Sequence, residues 1–360
     1  MTKELNRTKP HILSELEAPY DMKMTLSHRY LDANLDILSA FGFPKAMALE
    51  VLGIDAALLK FSTERLPLDR FVECINAASE FTSRPNIALR LGHKFRVGTF
   101  AQTGSLYTYC RDLSEVIQMN NRYQKLAIDA GAVEYLIDKS DRHKMCFKPY
   151  YDDMEKYRPI TDMIMASYVT TYSWLTWGSG EEILSAHLPY PEPEDVRVHQ
   201  DIFQSNLIFG SDSICLEFSE IAAAQRFTTH DPEKLTQAKV TLDRMMGLQM
   251  ESQAFEAAVE AAIRGALSSG QVSSHIVADR MGMSWSTLRT RMDQTGEGMR
   301  ARVDRIRKSL FMEKYQAGES FAQIAMSLAY NDQPAMNRAF RRWFDMTPSQ
   351  WRKAQADKSS

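Results

Sequence analysis

Apolar residues in the first part of the chain recur mainly at helical spacing. The stretch FVECINAASEFT (71–82) places Phe71, Cys74 and Ala78 on one face of a helix, with polar residues on the other. The same spacing returns in SEVIQMNNRYQKLA and, later, in DMIMASYVTTYSWLTW. The pattern therefore predicts mostly helices over residues 27–130.

Alternation of apolar and polar residues begins after these first helices. Between residues 133 and 151 it flanks a turn-forming DKSD sequence, which predicts a β-hairpin. Two short apolar runs, NLIFG (206–210) and SICLEF (213–218), predict further strands. Helices followed by paired strands are typical of an α+β domain. We therefore expect helices plus an antiparallel sheet over residues 26–230, after an N-terminal tail over residues 1–25.

The last third of the chain shows no strand pattern and alternates between helices and turns. Residues 231–250 predict a helical or loose linker. The spacing of apolar residues over 254–270 predicts an amphipathic helix that ends at Gly270. We expect an all-α domain over residues 251–360, in which two helix-turn-helix units are joined by a long connector helix.

The first helix-turn-helix unit is predicted by two short helices within about twenty residues. Ser273 or its neighbour can cap the first helix, and Gly282 marks its end. Ser284 can cap the second helix, in which Leu288 and Met292 face inward at positions i and i+4.

A second unit of the same design follows a connector whose arginines spread around an apolar stripe. Ser320 and Gln323 form an S-x-x-Q capping box at its start. The turn follows at Ala329, and Asn331 or Asp332 can cap the final helix.

The final helix has two unlike faces. Its inner face combines residues at positions i, i+3, i+4 and i+7, namely Met336, Ala339, Phe340 and Trp343. Its outer face carries Asn, Gln and Arg, which bind base edges and phosphates in the major groove. A solvated arginine face would explain one such helix, but two tandem units of this design favour DNA. The residues that we expect to contact DNA are Ser286, Arg289, Thr290 and Arg291 in the first unit, and Gln333, Asn337, Arg338, Arg341 and Arg342 in the second.

Formal charge is divided unevenly along the chain. The whole sequence has 43 Lys+Arg against 46 Asp+Glu, a net charge of -3. Residues 1–250 carry 27 basic against 34 acidic residues, whereas residues 251–360 carry 16 against 12. An acidic body with a basic end fits a nucleic-acid-binding module joined to another domain. Double-stranded DNA is therefore the partner that we expect.

The C-terminal part resembles the AraC/XylS transcription regulators over residues 251–354. The similarity is densest in IAMSLAYNDQPAMNRAFRRWFDMTPSQWR (324–352), which has the Ile-Ala start, the R-x-F triplet and the Pro followed by an aromatic-Arg pair. Ala329 stands where the family usually has a turn glycine, and Thr290 where its first unit usually has an arginine. The resemblance implies a sequence-specific transcriptional regulator, with an activator role and RNA polymerase as a further partner.

The N-terminal part is similar to the arabinose-binding-type regulatory domain of one branch of this family. The matching segments are residues 66–92 and 182–218. In that branch the domain is thought to sense a small molecule and to dimerise, so the resemblance implies a small-molecule effector and a homodimer. Arg90, His93 and Arg96 could hold a carboxylate ligand, but solvation is the commoner role of such side chains, and we assign no effector-binding residue.

Enzyme motifs are absent from the sequence. It contains no P-loop, no glycine-rich dinucleotide motif and no nucleophile elbow. The four cysteines, Cys74, Cys110, Cys146 and Cys215, form no CxxC pair, and we expect buried reduced thiols. We therefore expect no catalytic residue, no cofactor and no metal.

The lengths of the apolar runs indicate where in the cell we expect the protein. None approaches the roughly 18 residues that span a bilayer, and the opening MTKELNRTKPHILSELE lacks the apolar core of a signal peptide. We expect a cytoplasmic protein without a membrane partner. Two alternatives stay open. One is an enzyme acting on a small molecule through its N-terminal domain, and the other is a non-specific architectural DNA-binding protein.

Overall fold

The structure is a computed structural model of the 360-residue chain. It describes residues 24–56, 59, 65–100, 103–138, 141–178, 183–293, 297–330, 333–344, 346–348 and 350–351. Of Gln333 it describes the backbone alone. Most of the predicted tail, the predicted caps Asn331 and Asp332, and Arg352 of the family motif lie outside the described residues.

The N-terminal part combines helices with two sheets. Its helices are α1 (His28–Ala40), α2 (Lys45–Leu52), α3 (Leu68–Thr82), α4 (Ile87–His93), α5 (Thr103–Thr108), α6 (Leu113–Tyr123), α7 (Arg158–Leu175), α8 (Arg197–Phe203) and α9 (Glu220–Ala224). Short 3-10 turns lie at Val97–Phe100 and Gln124–Leu126. Its strands are β1 (Thr25–Ser27), β2 (Arg65–Pro67), β3 (Ile128–Asp129), β4 (Gly131–Ile137), β5 (His143–Pro149), β6 (Ile183–His187), β7 (Asn206–Ile208) and β8 (Ile214–Phe218).

Both sheets are mainly antiparallel. The smaller sheet has the strand order β2-β1-β3 and the larger one the order β4-β5-β8-β6-β7. Only β6 and β7 pair in parallel within the described strands. The predicted hairpin is confirmed, since β4 and β5 pair from Gly131 opposite Pro149 to Ile137 opposite His143. The other two predicted strands correspond to β7 and β8.

The hydrophobic core of this part lies between the helices and one face of the larger sheet. The predicted inner face of α3 is confirmed, because Phe71, Cys74 and Ala78 are buried. Helix α4 approaches α7 so closely that a Cβ at Gly92 would lie 2.0 Å from the carbonyl oxygen of Met163. A side chain at this glycine would force the two central helices apart.

The expectation of four reduced cysteines is corrected for one pair. Cys146 on β5 and Cys215 on β8 form a disulfide. Cys74 and Cys110 are free and buried, as expected. No sequence pattern indicates this pair, because the two cysteines are 69 positions apart and only the strand register places them opposite each other.

One long helix, α10 (Pro232–Ser268), leads from the N-terminal core into the C-terminal part. Leu242 in its first half belongs to the N-terminal core, and Ile263 in its second half belongs to another core. The segment predicted as a helical or loose linker, residues 231–250, is therefore continuous with the amphipathic helix predicted over residues 254–270.

The C-terminal part is helical throughout its described residues. Its helices are α11 (Ser274–Arg280), α12 (Trp285–Asp293), α13 (Met299–Gln316), α14 (Phe321–Ser327) and α15 (Gln333–Phe344). A largely aliphatic core joins α10, α11, α12 and the start of α13, and an aromatic core joins the end of α13 to α14 and α15. The predicted fold class is confirmed: an α+β domain precedes an all-α domain with two helix-turn-helix units joined by a connector helix, α13.

Candidate nucleic-acid interface

Helix α15 is buried on one side and exposed on the other, as the helical spacing of its apolar residues predicted. Its inner face consists of Met336, Ala339, Phe340 and Trp343, all at most 8% exposed. Asn337, Arg338 and Arg341 are exposed, and none of the three pairs with another side chain in the described part of the chain. Their amide and guanidinium groups therefore keep their hydrogen-bonding capacity for base edges or phosphates.

The inner face of α15 packs on an aromatic core that fixes the orientation of the helix. Phe311 of α13 is fully buried, and its ring meets that of Phe340 edge-on at 5.1 Å. Phe321 and Trp351 approach the same Phe311 ring at 5.2 Å and 6.0 Å. Because large rings leave few alternative packings, this core holds the outer face of α15 at a defined angle.

Asp304 on α13 ties the end of α15 to the connector. One carboxylate oxygen accepts from the Trp343 indole Nε1 at 3.0 Å, and the other accepts from Arg342 Nη2 at 2.8 Å. The Arg342 side chain is still 56% exposed. The predicted phosphate contact of Arg342 thus requires its guanidinium to share or leave Asp304.

The turn of the second unit adopts the backbone conformation that usually calls for glycine. Ala329 has φ +54°, a left-handed value that crowds its Cβ against the backbone. Arg307 of α13 supports this turn, since its Nε and Nη2 donate to the carbonyls of Leu328 and Ala329 at 3.0 Å and 3.1 Å. Its guanidinium also lies over the Tyr330 ring at 4.3 Å.

The first unit is built as predicted. The Ser273 and Ser284 hydroxyls accept from backbone N–H groups in the first turns of α11 and α12, at 3.3 Å and 3.2 Å. Gly282 forms the turn with φ +65°. Leu288 and Met292 are buried at 0% and 2% exposure, so they anchor α12 to the aliphatic core.

The four residues predicted to contact DNA in the first unit are all exposed: Ser286, Arg289, Thr290 and Arg291. The Thr290 hydroxyl donates to the backbone carbonyl one turn earlier at 3.0 Å. The Arg289 guanidinium lies 3.9 Å from the Asp293 carboxylate. Arg291 lies over the Phe255 ring of α10 at 4.1 Å and lines an open groove of about 850 Å³ beside that helix. The structure thus holds the charge of Arg291 beside α10.

Most basic residues of the connector have structural partners that the sequence analysis missed. Arg302 is 2% exposed and forms an ion pair with Glu256 of α10. Arg305 pairs with Glu297 at 2.9 Å. Lys308 Nζ donates to the Trp343 carbonyl at 2.9 Å. The contacts of Arg302 and Lys308 join residues that are distant in sequence, so helical periodicity alone could not identify them.

The basic residues near the end of α4 do not form one cluster. Arg90 and His93 border a small cavity of about 230 Å³. Partial burial lowers the pKa of His93, and the nearby charges of Lys94 and Arg96 lower it further. Arg96 Nη1 donates to the Phe95 carbonyl at 2.7 Å and does not line that cavity.

Neither a metal site nor a membrane-spanning helix is found among the described residues. No three His, Cys, Asp or Glu side chains among them are placed to hold a metal ion. None of the described helices is both long and apolar enough to cross a membrane.

Known protein families match both parts of the chain. The family described as the arabinose-binding domain of AraC transcription regulators, N-terminal, matches residues 42–227. A helix-turn-helix domain family matches residues 277–354, which include most of the first unit and all of the second.

Three individual proteins are similar to parts or to most of this chain. The HTH-type transcriptional regulator VirS of Mycobacterium tuberculosis is 39% identical over 92 residues, which are 25% of this chain and 26% of VirS, so this match spans about a quarter of that relative. The Ornithine utilization regulator of Pseudomonas aeruginosa is 22% identical over 90% of this chain and 95% of its own. The crystal structure of the transcriptional regulator CdpR from Pseudomonas aeruginosa aligns over 93% of this chain and 99% of its own, with 17% identity and a TM-score of 0.42.

The N-terminal family match alone covers more than half of the 360 residues. The helix-turn-helix match begins in α11 and ends beyond α15. The chain therefore belongs to the AraC family of DNA-binding transcription regulators, in the branch with an arabinose-binding-type N-terminal domain.

Proposed function

We propose that the two helix-turn-helix units enter successive major grooves on one face of the duplex and select its sequence. The observation that carries this proposal is the outer face of α15, where Asn337, Arg338 and Arg341 are exposed without a side-chain partner among the described residues. Successive major grooves on one face are about 34 Å apart, and the connector α13 sets the spacing of the units. In this arrangement Arg338 and Asn337 bind base edges, because they occupy the middle of that face.

We infer that the other predicted residues also contact DNA, with different shares of base and phosphate binding. They are Ser286, Arg289, Thr290, Arg291, Gln333 and Arg342. Arg342 would bind a phosphate at the flank of α15, in exchange for Asp304. Arg291 would contribute least, because its guanidinium is stacked on Phe255.

We infer a division of labour along the chain. Residues 26–230 would form the sensing and dimerisation domain, residues 231–250 the linker, and residues 251–360 the DNA-binding domain, after a tail over residues 1–25. The separate hydrophobic cores support two domains, because the last buried residue of the N-terminal core is Leu242 and the first of the next core is Phe255. The first part of the proposed linker packs on the N-terminal core through Leu235 and Leu242.

We infer further that a small-molecule effector controls the protein. The arabinose-binding-type domain supports this control. So does the name of the Ornithine utilization regulator, although 22% identity does not carry its ligand to this chain. Family membership is also the support for a homodimer, an activator role, contact with RNA polymerase, action in the cytoplasm and the absence of enzymatic activity.

The Arg338→Ala variant tests base selection directly. We expect affinity for the specific site to fall about 10- to 100-fold, because a two-pronged arginine–base contact contributes about 1–3 kcal/mol of discrimination. Affinity for random DNA should change much less. Both are measured by mobility shift at one fixed salt concentration. Arg300→Ala is the matched control, since Arg300 is exposed on α13 and also lacks a side-chain partner among the described residues. Equal losses on specific and random DNA would contradict the assignment of Arg338.

The operator needed for this test is obtained by selection. Full-length protein is incubated with fragmented genomic DNA, with and without candidate metabolites, and bound fragments are sequenced. We expect a recurrent site with two half-sites about 10 base pairs apart. A metabolite that changes the recovery of that site would identify the effector, and recovery of random fragments alone would support the architectural alternative.

A further inference from the structure

The disulfide between Cys146 and Cys215 lies on the side of the larger sheet that faces away from the core. Alternate residues of a strand point to opposite faces. Met145, Phe147 and Leu216, the neighbours of the two cysteines in sequence, belong to the hydrophobic core, whereas the cysteines do not. The pair therefore lies on the outer face of the sheet, where both cysteines are still buried, at 3% and 2% exposure. A small thiol reaches the sulfurs only when the side chains around them move.

Ionisable side chains surround the pair on this outer face. The strand register puts Glu134 opposite Cys146, and His187 opposite Cys215. Two positions along the strands, Lys144 lies opposite Glu217, and their side chains pair at 2.8 Å. The neighbours of the pair on this face of the sheet are therefore polar and ionisable side chains and not members of the apolar core. Exchange with small thiols proceeds through the thiolate form of cysteine.

The strand pairing holds the two cysteines opposite each other. Cys146 and Cys215 are direct partners in a ladder that runs from His143 opposite Phe218 to Phe147 opposite Ile214. The backbone pairing, not the S–S bond, brings them together, so the bond can open without a change in register. The bond closes a loop over 69 positions that contains α7, β6, α8 and β7. Such a cross-link lowers the entropy of the unfolded chain and stabilises the folded domain.

We propose that Cys146 and Cys215 form a reversible thiol–disulfide site that responds to small thiols of the glutathione type. A thiolate of the small thiol attacks one sulfur of the pair, the S–S bond breaks, and the other sulfur leaves as a thiolate that takes up a proton. The thiolate of a second small thiol attacks the sulfur of the first one in the mixed disulfide. The two small thiols become joined as a small disulfide, and the protein sulfur leaves as a thiolate that takes up a proton. The two cysteines gain two electrons and two protons, and two small thiols are oxidised to one small disulfide.

Thiol trapping on the full-length protein tests the exchange. The folded protein is equilibrated in buffers with increasing ratios of oxidised to reduced glutathione, quenched with acid, alkylated in denaturant and analysed by mass spectrometry. We expect Cys146 and Cys215 to change together from two alkylated thiols to one disulfide. The buried Cys74 and Cys110 are internal controls and should be alkylated after every buffer. A pair that keeps one state in all native buffers, and changes only in denaturant, would overturn the proposal.

Thermal unfolding of the same samples tests the effect of the bond. We expect the oxidised protein to melt roughly 5–15 °C above the reduced protein, as a loop of this length predicts. Cys146→Ser and Cys215→Ser should each lose this redox dependence, and Cys74→Ser should keep it. Equal melting temperatures in the two states of the wild type would also overturn the proposal. Neither readout involves DNA, so a failure here leaves the proposed DNA-binding function untouched.

Discussion

The two helix-turn-helix units have the same order of helices, but different cores and different turns. The first has a largely aliphatic core and a glycine turn, Gly282 at φ +65°. The second has an aromatic core around Phe311 and makes its turn with Ala329 at φ +54°, supported by Arg307. In this second unit a non-glycine residue occupies the left-handed turn position, and Arg307 binds the backbone carbonyls of that turn.

The outer faces of the units differ as well. In the second unit Arg338 and Arg341 lack side-chain partners among the described residues. In the first unit Arg289 lies near Asp293, and Arg291 stacks on Phe255. An arginine already held by its own protein must exchange that contact for DNA, which reduces the net gain on binding. The contrast favours the second unit as the main source of base selection.

Removing the central ring of the aromatic core should have the largest effect. Phe311→Ala deletes a fully buried ring and should lower the free energy of unfolding by about 3–5 kcal/mol. Chemical denaturation of the full chain measures the loss. Met312→Ala, next to it and only partly buried, is the control and should cost clearly less. Equal losses would show that this core is not organised around Phe311.

Removing the ion pair between α10 and α13 should have the second-largest effect on stability. Arg302→Ala leaves the half-buried Glu256 without its cation, and we expect a loss of about 2–3 kcal/mol, below the range for fully buried pairs. Arg300→Ala removes the same charge from an exposed position of the same helix and should cost at most about 0.5 kcal/mol. If the two variants unfold alike in urea, the buried ion pair does not support the first unit.

Exchanging the turn residues gives effects of opposite sign. Gly282→Ala should destabilise the first unit by about 1 kcal/mol, because a Cβ is strained at φ +65° even though nothing lies within 4 Å of it. Ala329→Gly should stabilise the second by about 0.5–1 kcal/mol, since the strain falls more than the unfolded chain gains in entropy. Midpoints of urea unfolding measure both. A destabilised Ala329→Gly would mean that Arg307 already removes the strain.

The smallest effect concerns Arg342. Arg342→Ala should weaken binding to specific and random DNA alike and reduce the slope of log affinity against log salt by about one, as loss of one phosphate contact requires. Titrations at several salt concentrations provide that slope. An unchanged slope would mean that Arg342 stays with Asp304 when DNA binds, and would leave the second unit with Arg338 and Arg341 as its DNA-binding arginines.

What could be predicted from the sequence follows from the range of each interaction. Periodicity and caps act within one or two turns, so the buried face of α15 and the anchors Leu288 and Met292 were predicted and are confirmed. Contacts between distant residues were missed, because no local pattern encodes the disulfide or the pairing of Arg302 with Glu256. The family resemblance pointed to the unusual turn residue, but its backbone angle and its support by Arg307 required the fold.

Helix α10 has a consequence for how this chain tolerates insertions and deletions. An α-helix turns about 100° and rises about 1.5 Å per residue. One residue added within its exposed middle, around Gly247, would swing everything beyond it by over a quarter of a revolution relative to the N-terminal core. Seven added residues make nearly two full turns. They would return the C-terminal part to almost its original orientation and lengthen α10 by about 10 Å. A short length change in this helix therefore alters mainly the direction in which the C-terminal part faces, and only slightly its distance from the N-terminal core.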